Sequence, residues 1–335
     1  DNGRHFSLLG RNKVKTAAAA FAAIALFAVS AQVQAQERIA GTAAAAPESS
    51  AAREVSLGYI YPSNIYAGAQ YGTGGVGLRN RSGGALNVSG VNKPTKAAFV
   101  YWAVITNGAA PAPVKSVKIQ RIAPTASPAA AITGTAIGIT ASPCWVGNTT
   151  TVYRGAVPLS VANGSGTYQI TLNPGASGST AAGDPWYSGQ TLPLMEGASI
   201  VVVGSGQANV ALYDRGLAGN MFSSTLSYTL ALPSAATGRN VIIDNIGADG
   251  QLGRSRDGGL ASETTIINGY YVAGEYSPAN DSDWNGAIAG PLPQLWDNTG
   301  HQINSSAPAG TWYLNTAVYA AGDCLVPVAN IVALY

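Results

Sequence analysis

The chain has 335 residues, of which 47% are hydrophobic and only 10% charged, with 41 Gly and 18 Pro. A charged fraction far below the usual ~25% excludes an ordinary cytosolic surface, and ample apolar residues with almost no net charge exclude a disordered chain. What remains is a folded, Gly-rich, polar but uncharged protein, long enough for one large or two ordinary domains.

Arg11, Lys13 and Lys15 lead into an apolar run from Thr16 to Ser30 that contains no charge. The run is too short to cross a bilayer comfortably. Val33-Gln34-Ala35 then places small residues three and one positions before Gln36, a pattern that a signal peptidase accepts. Residues 1–35 are therefore expected to be a secretory signal peptide, the alternative being an uncut membrane anchor. Cleavage removes Arg4, Arg11, Lys13 and Lys15 with Asp1, leaving 14 basic and 15 acidic residues. The basic pI then belongs to the targeting segment. Neither nucleic-acid binding nor a transmembrane segment is expected of the mature chain.

Residues 36–54 are rich in Ala, Ser and Pro without period-2 patterning and read as a flexible arm. From residue 55 to 335, short runs rich in Val, Ile, Thr and Tyr recur between Gly, Pro, Asn and Ser clusters, which is an all-β signature. About twelve strands are predicted, over 97–105, 114–121, 131–140, 150–162, 167–172, 198–203, 207–213, 222–232, 240–246, 264–272, 311–319 and 324–334. Gly204-Ser205-Gly206 predicts a tight hairpin between 198–203 and 207–213, with glycine supplying positive φ. No amphipathic helical pattern longer than about two turns follows residue 36, which excludes a βαβ architecture. The expected fold is a two-sheet, jelly-roll-like sandwich, with room for a decorated extension.

In this order occur Ala98-Phe99-Val100-Tyr101-Trp102, Glu196–Val203 leading into Leu212-Tyr213-Asp214, Gly247-Ala248-Asp249-Gly250-Gln251, Leu295-Trp296-Asp297 and Gly322-Asp323-Cys324-Leu325-Val326. Residues 85–335 thereby resemble an uncharacterised exported β domain of bacterial and archaeal surface proteins, often found ahead of surface repeat modules. The resemblance implies a surface location and brings no catalytic residue with it.

Charge is distributed unevenly. Val55–Gly183 holds no Asp or Glu but eight basic residues, whereas Asp184 onward holds twelve acids and four Arg. If strands from both halves alternate in the sheets, the surface is mixed. If they do not, the molecule is polar and suited to head-to-tail self-association. Pairing of an exposed edge with a neighbour's strand is a second route.

Cys144 and Cys324 form an even pair in an exported chain and are expected to be disulfide-bonded, the alternative being two buried thiols. Asp281-Ser282-Asp283-Trp284-Asn285-Gly286 has D-x-D-x-N-G spacing, which aims alternate oxygens of Asp281, Asp283 and Asn285 into one loop, as Ca²⁺ requires. Position twelve is Leu292, so Glu275 or Asp297 is the candidate bidentate ligand; the alternative is an Asx-turn loop without metal.

Tyr59, Tyr61, Tyr66 and Tyr71, set among Gly, Ser and Asn, are a candidate face for glycans or proteins, or else plain strand residues. His301, Asp297 and Ser305 or Ser306 are close in sequence, but no GxSxG elbow presents a nucleophile. A glycosidase would need a carboxylate pair from Glu263, Glu275, Asp281, Asp283 and Asp297. The reading favoured is a non-enzymatic structural or adhesive protein of the cell surface or extracellular matrix. The alternative is a secreted carbohydrate-active enzyme or carbohydrate-binding module.

Overall fold

Runs of Val, Ile, Tyr and Thr become extended backbone throughout, because branched and aromatic side chains pack well on a pleated surface. A computed structural model describes residues 37–38, 54–142, 147–178, 191–218, 221–222, 225–236, 239–248, 264–273, 296–303, 313–319 and 324–335. The chain divides into units Asp1–Gln36 and Glu37–Tyr335, and the described residues belong to the second. The predicted signal peptide therefore lies outside them, as does the predicted arm except for its paired ends at 37–38 and 54.

In chain order the strands are β1 (Glu37–Arg38), β2 (Glu54–Ile60), β3 (Asn64–Gly77), β4 (Gly83–Val88), β5 (Thr95–Thr106), β6 (Ser116–Ala123), β7 (Ala130–Thr133), β8 (Thr135–Ala141), β9 (Thr149–Ala156) and β10 (Gly166–Leu172). They continue with β11 (Leu194–Ser205), β12 (Ala208–Tyr213), β13 (Met221–Phe222), β14 (Thr225–Ala231), β15 (Val241–Ala248), β16 (Thr264–Ile267), β17 (Tyr270–Ala273), β18 (Trp296–Ile303), β19 (Tyr313–Tyr319) and β20 (Cys324–Leu334). A single 3₁₀ turn, Ala112–Lys115, is the helical element among the described residues.

The all-β sandwich class holds, with more strands than expected and three sheets where two were predicted. A long sheet runs β1-β18-β15-β20-β12-β3-β11-β5-β9-β8, with β13 also on β20; a smaller sheet runs β4-β10-β6-β7 and another β17-β16-β19-β14-β2. One core, around Trp102, Tyr168 and Ile200, draws only on residues 76–202 and lies between the β3–β9 end of the long sheet and the four-stranded sheet. A second, around Tyr213, Ile243 and Leu226, draws on Ile60 and residues 211–334 and lies under the five-stranded sheet. The two sandwiches are thus two lobes, the first core drawn from one stretch of sequence and the second from residues 211–334 together with the N-terminal strand β2. β5 and β11 are buried on both faces, which is why they read as continuous apolar runs, whereas β14 alternates strictly.

A third core contains only long-sheet residues, among them Tyr101, Val201, Leu212, Ile246, Trp296 and Ile331. β18 and β11 are five strand spacings apart, about 24 Å along a flat sheet. Nevertheless Trp296 Nε1 donates to Ser199 Oγ at 2.8 Å, so the long sheet folds back and its two halves pack face to face. The bend falls in β3, whose residues 69–77 pair with β11 while 64–69 pair with β12. Gly68 takes φ +55° there, and the Lys96 ammonium holds the carbonyls of Ala67 and Gly68 at 2.6 and 2.7 Å.

Three expected elements are corrected. β11 and β12 do not form a hairpin, because β3 runs between them. Neither Gly204 nor Gly206 has positive φ; a Cβ on them would lie 2.1 Å from the Asn92 carbonyl oxygen and 2.6 Å from that of Ala69, so close approach is what requires glycine. The predicted strand 131–140 is divided at Gly134, where the chain crosses from the four-stranded to the long sheet over Trp102, 2.4 Å from where a Cβ would stand. The predicted strand 264–272 is a hairpin turning through Asn268 (φ 52°) and Gly269 (φ 83°).

Candidate functional site

Where the folded-back sheet brings the lobes together, polar side chains line the seam. Asp214, just past the end of β12, is buried, and Arg154 of β9 approaches it with Nε 3.1 Å from Oδ2. Tyr101 of β5 donates to the same oxygen at 2.7 Å. Burial and the Asp214 charge hold the Tyr101 hydroxyl well above its ordinary pKa, so it stays a donor. The Arg154 guanidinium stacks over Phe99 at 3.8 Å and donates through Nη2 to Asn64 Oδ1. Register explains the meeting: Thr135, Arg154 and Tyr101 stand opposite one another across β8, β9 and β5 and so share the face turned to the other lobe.

Beside this cluster is a hollow of about 310 Å³. Phe99, Ile137 and Ala156 give it apolar walls, while Ser63, Asn64 and Thr135 supply polar edges. Arg154 and the exposed Arg215 both line it. Arg215 has no partner among the described residues, and within them Arg154 Nη1 makes no hydrogen bond.

Two further polar groupings occur. Asp244 of β15 accepts from Thr73 Oγ1 of β3 at 3.0 Å across the seam, with Tyr71 beside it. Burial pushes the Asp244 carboxyl up to about 6 despite the opposing hydrogen bonds and the charge of His301. The Tyr71 hydroxyl is raised far above its ordinary value, first by burial and then by Asp244. In the second lobe, Thr299, Asn245 and Asn330 form one row across β18, β15 and β20, and Asn330 Nδ2 donates to Asn245 Oδ1 at 2.5 Å. Arg79 and Glu196, both buried, make an ion pair at 2.6 Å in the first lobe.

The predicted site residues are scattered. Tyr59 and Tyr61 are 64% and 71% exposed, whereas Tyr66 and Tyr71 pack against the seam, so the four do not form one face. The split arises at Gly58 (φ +68°), a bulge in β2 that turns Tyr59 outward while Ile60 enters the second core. Asp297 is fully buried in β18. It lies four residues from His301 on the same strand, about 13 Å away along the backbone, which rules out a direct Asp297–His301 hydrogen bond. Glu275, Asp281, Asp283 and Asn285 lie outside the described residues, as do Glu263, Ser305, Ser306 and Cys144; Cys324 begins β20. No cluster of three metal-ligating side chains occurs among the described residues.

The sequence reading missed Arg154, Arg215, Asp214 and Phe99. They lie far apart in the chain, and only the exceptional acid-free stretch around Arg154 hinted that this arginine's carboxylate would come from elsewhere. No helix among the described residues is long and apolar enough to cross a membrane.

No family model and no curated protein matches the chain. Among solved structures it is similar to the ANX1 ectodomain from Arabidopsis thaliana, with 7% identity over 80% of this chain and 83% of that chain and a TM-score of 0.26. It is also similar to recombinant N-glycanase F (PNGase F), with 10% identity over 79% of this chain and 95% of that chain and a TM-score of 0.25. Likenesses at this level assign no function.

Proposed function

We propose that the chain is an exported structural or adhesive protein that acts at the cell surface or in the extracellular matrix by binding and self-association. The observation that supports this most is the charge split along the sequence, beside a first core drawn from the acid-poor stretch alone. The first core draws on residues 76–202 alone and the second on Ile60 and residues 211–334, so the strands of the acid-poor stretch do not alternate with those of the acid-rich one within either core. Among described residues 64–178 and 191–205 the one carboxylate is Glu196, buried against Arg79. Lys93, Lys96, Lys115 and Lys118 are exposed on the same lobe. Residues 206–335 hold ten acids against four Arg. Opposite charge on the two stretches of one molecule would favour heterologous contact, in which one copy's basic lobe meets the acid-rich stretch of the next copy.

The Cys144–Cys324 disulfide and a Ca²⁺ ion on the Asp281–Asn285 loop belong to the same reading of a secreted protein.

Sedimentation velocity of the purified chain tests it. Association should be strong at about 50 mM NaCl and largely lost by about 500 mM, since the screening length contracts from ~14 to ~4 Å. Reversing Lys115 and Lys118 to Glu should weaken it at low salt. A monomer at high concentration in low salt would refute self-association.

A further inference from the structure

We propose that the hollow at the lobe seam binds a sugar carrying a carboxylate, such as a uronic acid unit of an acidic glycan. The site is independent of lobe-to-lobe charge pairing and is tested separately from it.

Its first qualification is a fixed cation. Arg154 is clamped by the ring of Phe99 at 3.8 Å, by Asp214 at Nε and by Asn64 at Nη2. An arginine immobilised in this way has already lost its rotamer freedom, so binding an anion through Nη1 does not incur that entropy again. Its second qualification is a net charge of one. Arg154 and Arg215 give two positive charges and buried Asp214 removes one, which suits a monoanion such as a carboxylate better than a phosphate dianion.

The walls specify the rest of the ligand. Phe99, Ile137 and Ala156 offer apolar surface to ring carbons, while Ser63, Asn64 and Thr135 offer hydroxyl and amide groups to ring hydroxyls. A volume of about 310 Å³ lies at the small end of ligand sites, which span ~300–1,000 Å³, and suits a single sugar ring.

The test is titration of the full chain with methyl glucuronide, methyl glucoside, acetate and inorganic phosphate in low salt, by calorimetry or NMR shifts. Methyl glucuronide should saturate with a Kd of about 1 mM, the range expected of a ligand of ~14 heavy atoms, and the other three should bind at least tenfold more weakly. Arg215→Gln should weaken methyl glucuronide about tenfold without lowering the melting temperature, and Lys118→Gln, on the exposed face of β6 and outside the lining of the hollow, should leave it unchanged. Equal affinity for glucuronide and glucoside overturns the proposal, as does an Arg215→Gln variant of unaltered affinity. Acetate or phosphate binding as tightly as the glucuronide overturns the sugar acid as ligand. The absence of saturation by ~50 mM methyl glucuronide overturns the site itself.

Discussion

Asp244 carries a free-energy cost at neutral pH that its environment offsets only in part. Burial raises its carboxyl from 3.8 to about 6, while Thr73 and Tyr71 pull the other way. The folded state thus binds this proton more tightly than the unfolded chain does. The contribution is fully favourable below about pH 3.8 and is lost as pH rises through about 6. Asp244→Asn retains an acceptor for Thr73 and carries no charge, so it should stabilise the protein at pH 7.5 by up to about 3 kcal/mol and do little at pH 4. Urea unfolding at both pH values decides this, and an equal gain at each would contradict the assignment. Glu196 differs, being buried with its counter-ion at 2.6 Å. Glu196→Ala strands the Arg79 charge and should cost about 3–5 kcal/mol. The double variant Arg79→Met/Glu196→Leu should recover most of that loss in thermal melts, because the desolvation of both charges disappears with the pair.

At the scale of single elements, glycine does work that propensity scales count against it. β3 contains Gly72-Thr73-Gly74-Gly75, a poor strand by composition. The reason is contact with β4 of the facing sheet: a Cβ on Gly72 would stand 2.3 Å from the Ser89 carbonyl oxygen, and one on Gly74 would stand 2.3 Å from that of Asn87. Backbone cannot yield there as a flexible side chain can. Gly74→Ala should therefore cost about 1–3 kcal/mol, whereas Gly175→Ala, in open space at φ +76°, should cost only about 1–2 kcal/mol of backbone strain. A Gly74→Ala variant as stable as wild type in denaturant melts would show that β3 and β4 do not touch. The Asn268-Gly269 hairpin teaches the same lesson in reverse: Asn-Gly between apolar runs is a strong two-residue turn signal, yet the expected single strand 264–272 runs through it.

For the whole molecule, the fold-back of one long sheet is the decisive event. It sets Trp296 against Gly197, whose missing Cβ would otherwise lie 2.5 Å from the indole ring. It also brings Asp214 of one lobe to Arg154 of the other. Both contacts hold the same seam, so Gly197→Val should displace Trp296, loosen the hollow and lower the cooperativity of unfolding. The signature is a drop in the denaturant m-value or two separated transitions, and a single sharp transition of unchanged slope would show that the lobes do not depend on this contact.

The sequence by itself determined the all-β class, the positions of most strands and the charge asymmetry, because period-2 patterning and turn residues are local properties. It also placed the apolar runs of β5 and β11 correctly, since burial on both faces leaves a continuous hydrophobic stretch. Tertiary structure alone decided that β3 separates β11 from β12, that Tyr66 and Tyr71 turn into the seam while Tyr59 and Tyr61 face solvent, and that Arg154, Asp214, Asn64 and Phe99 meet. Those outcomes depend on strand order and on where a sheet bends. Both are fixed by which distant surfaces bury one another, and neighbouring residues in the chain carry no record of that choice.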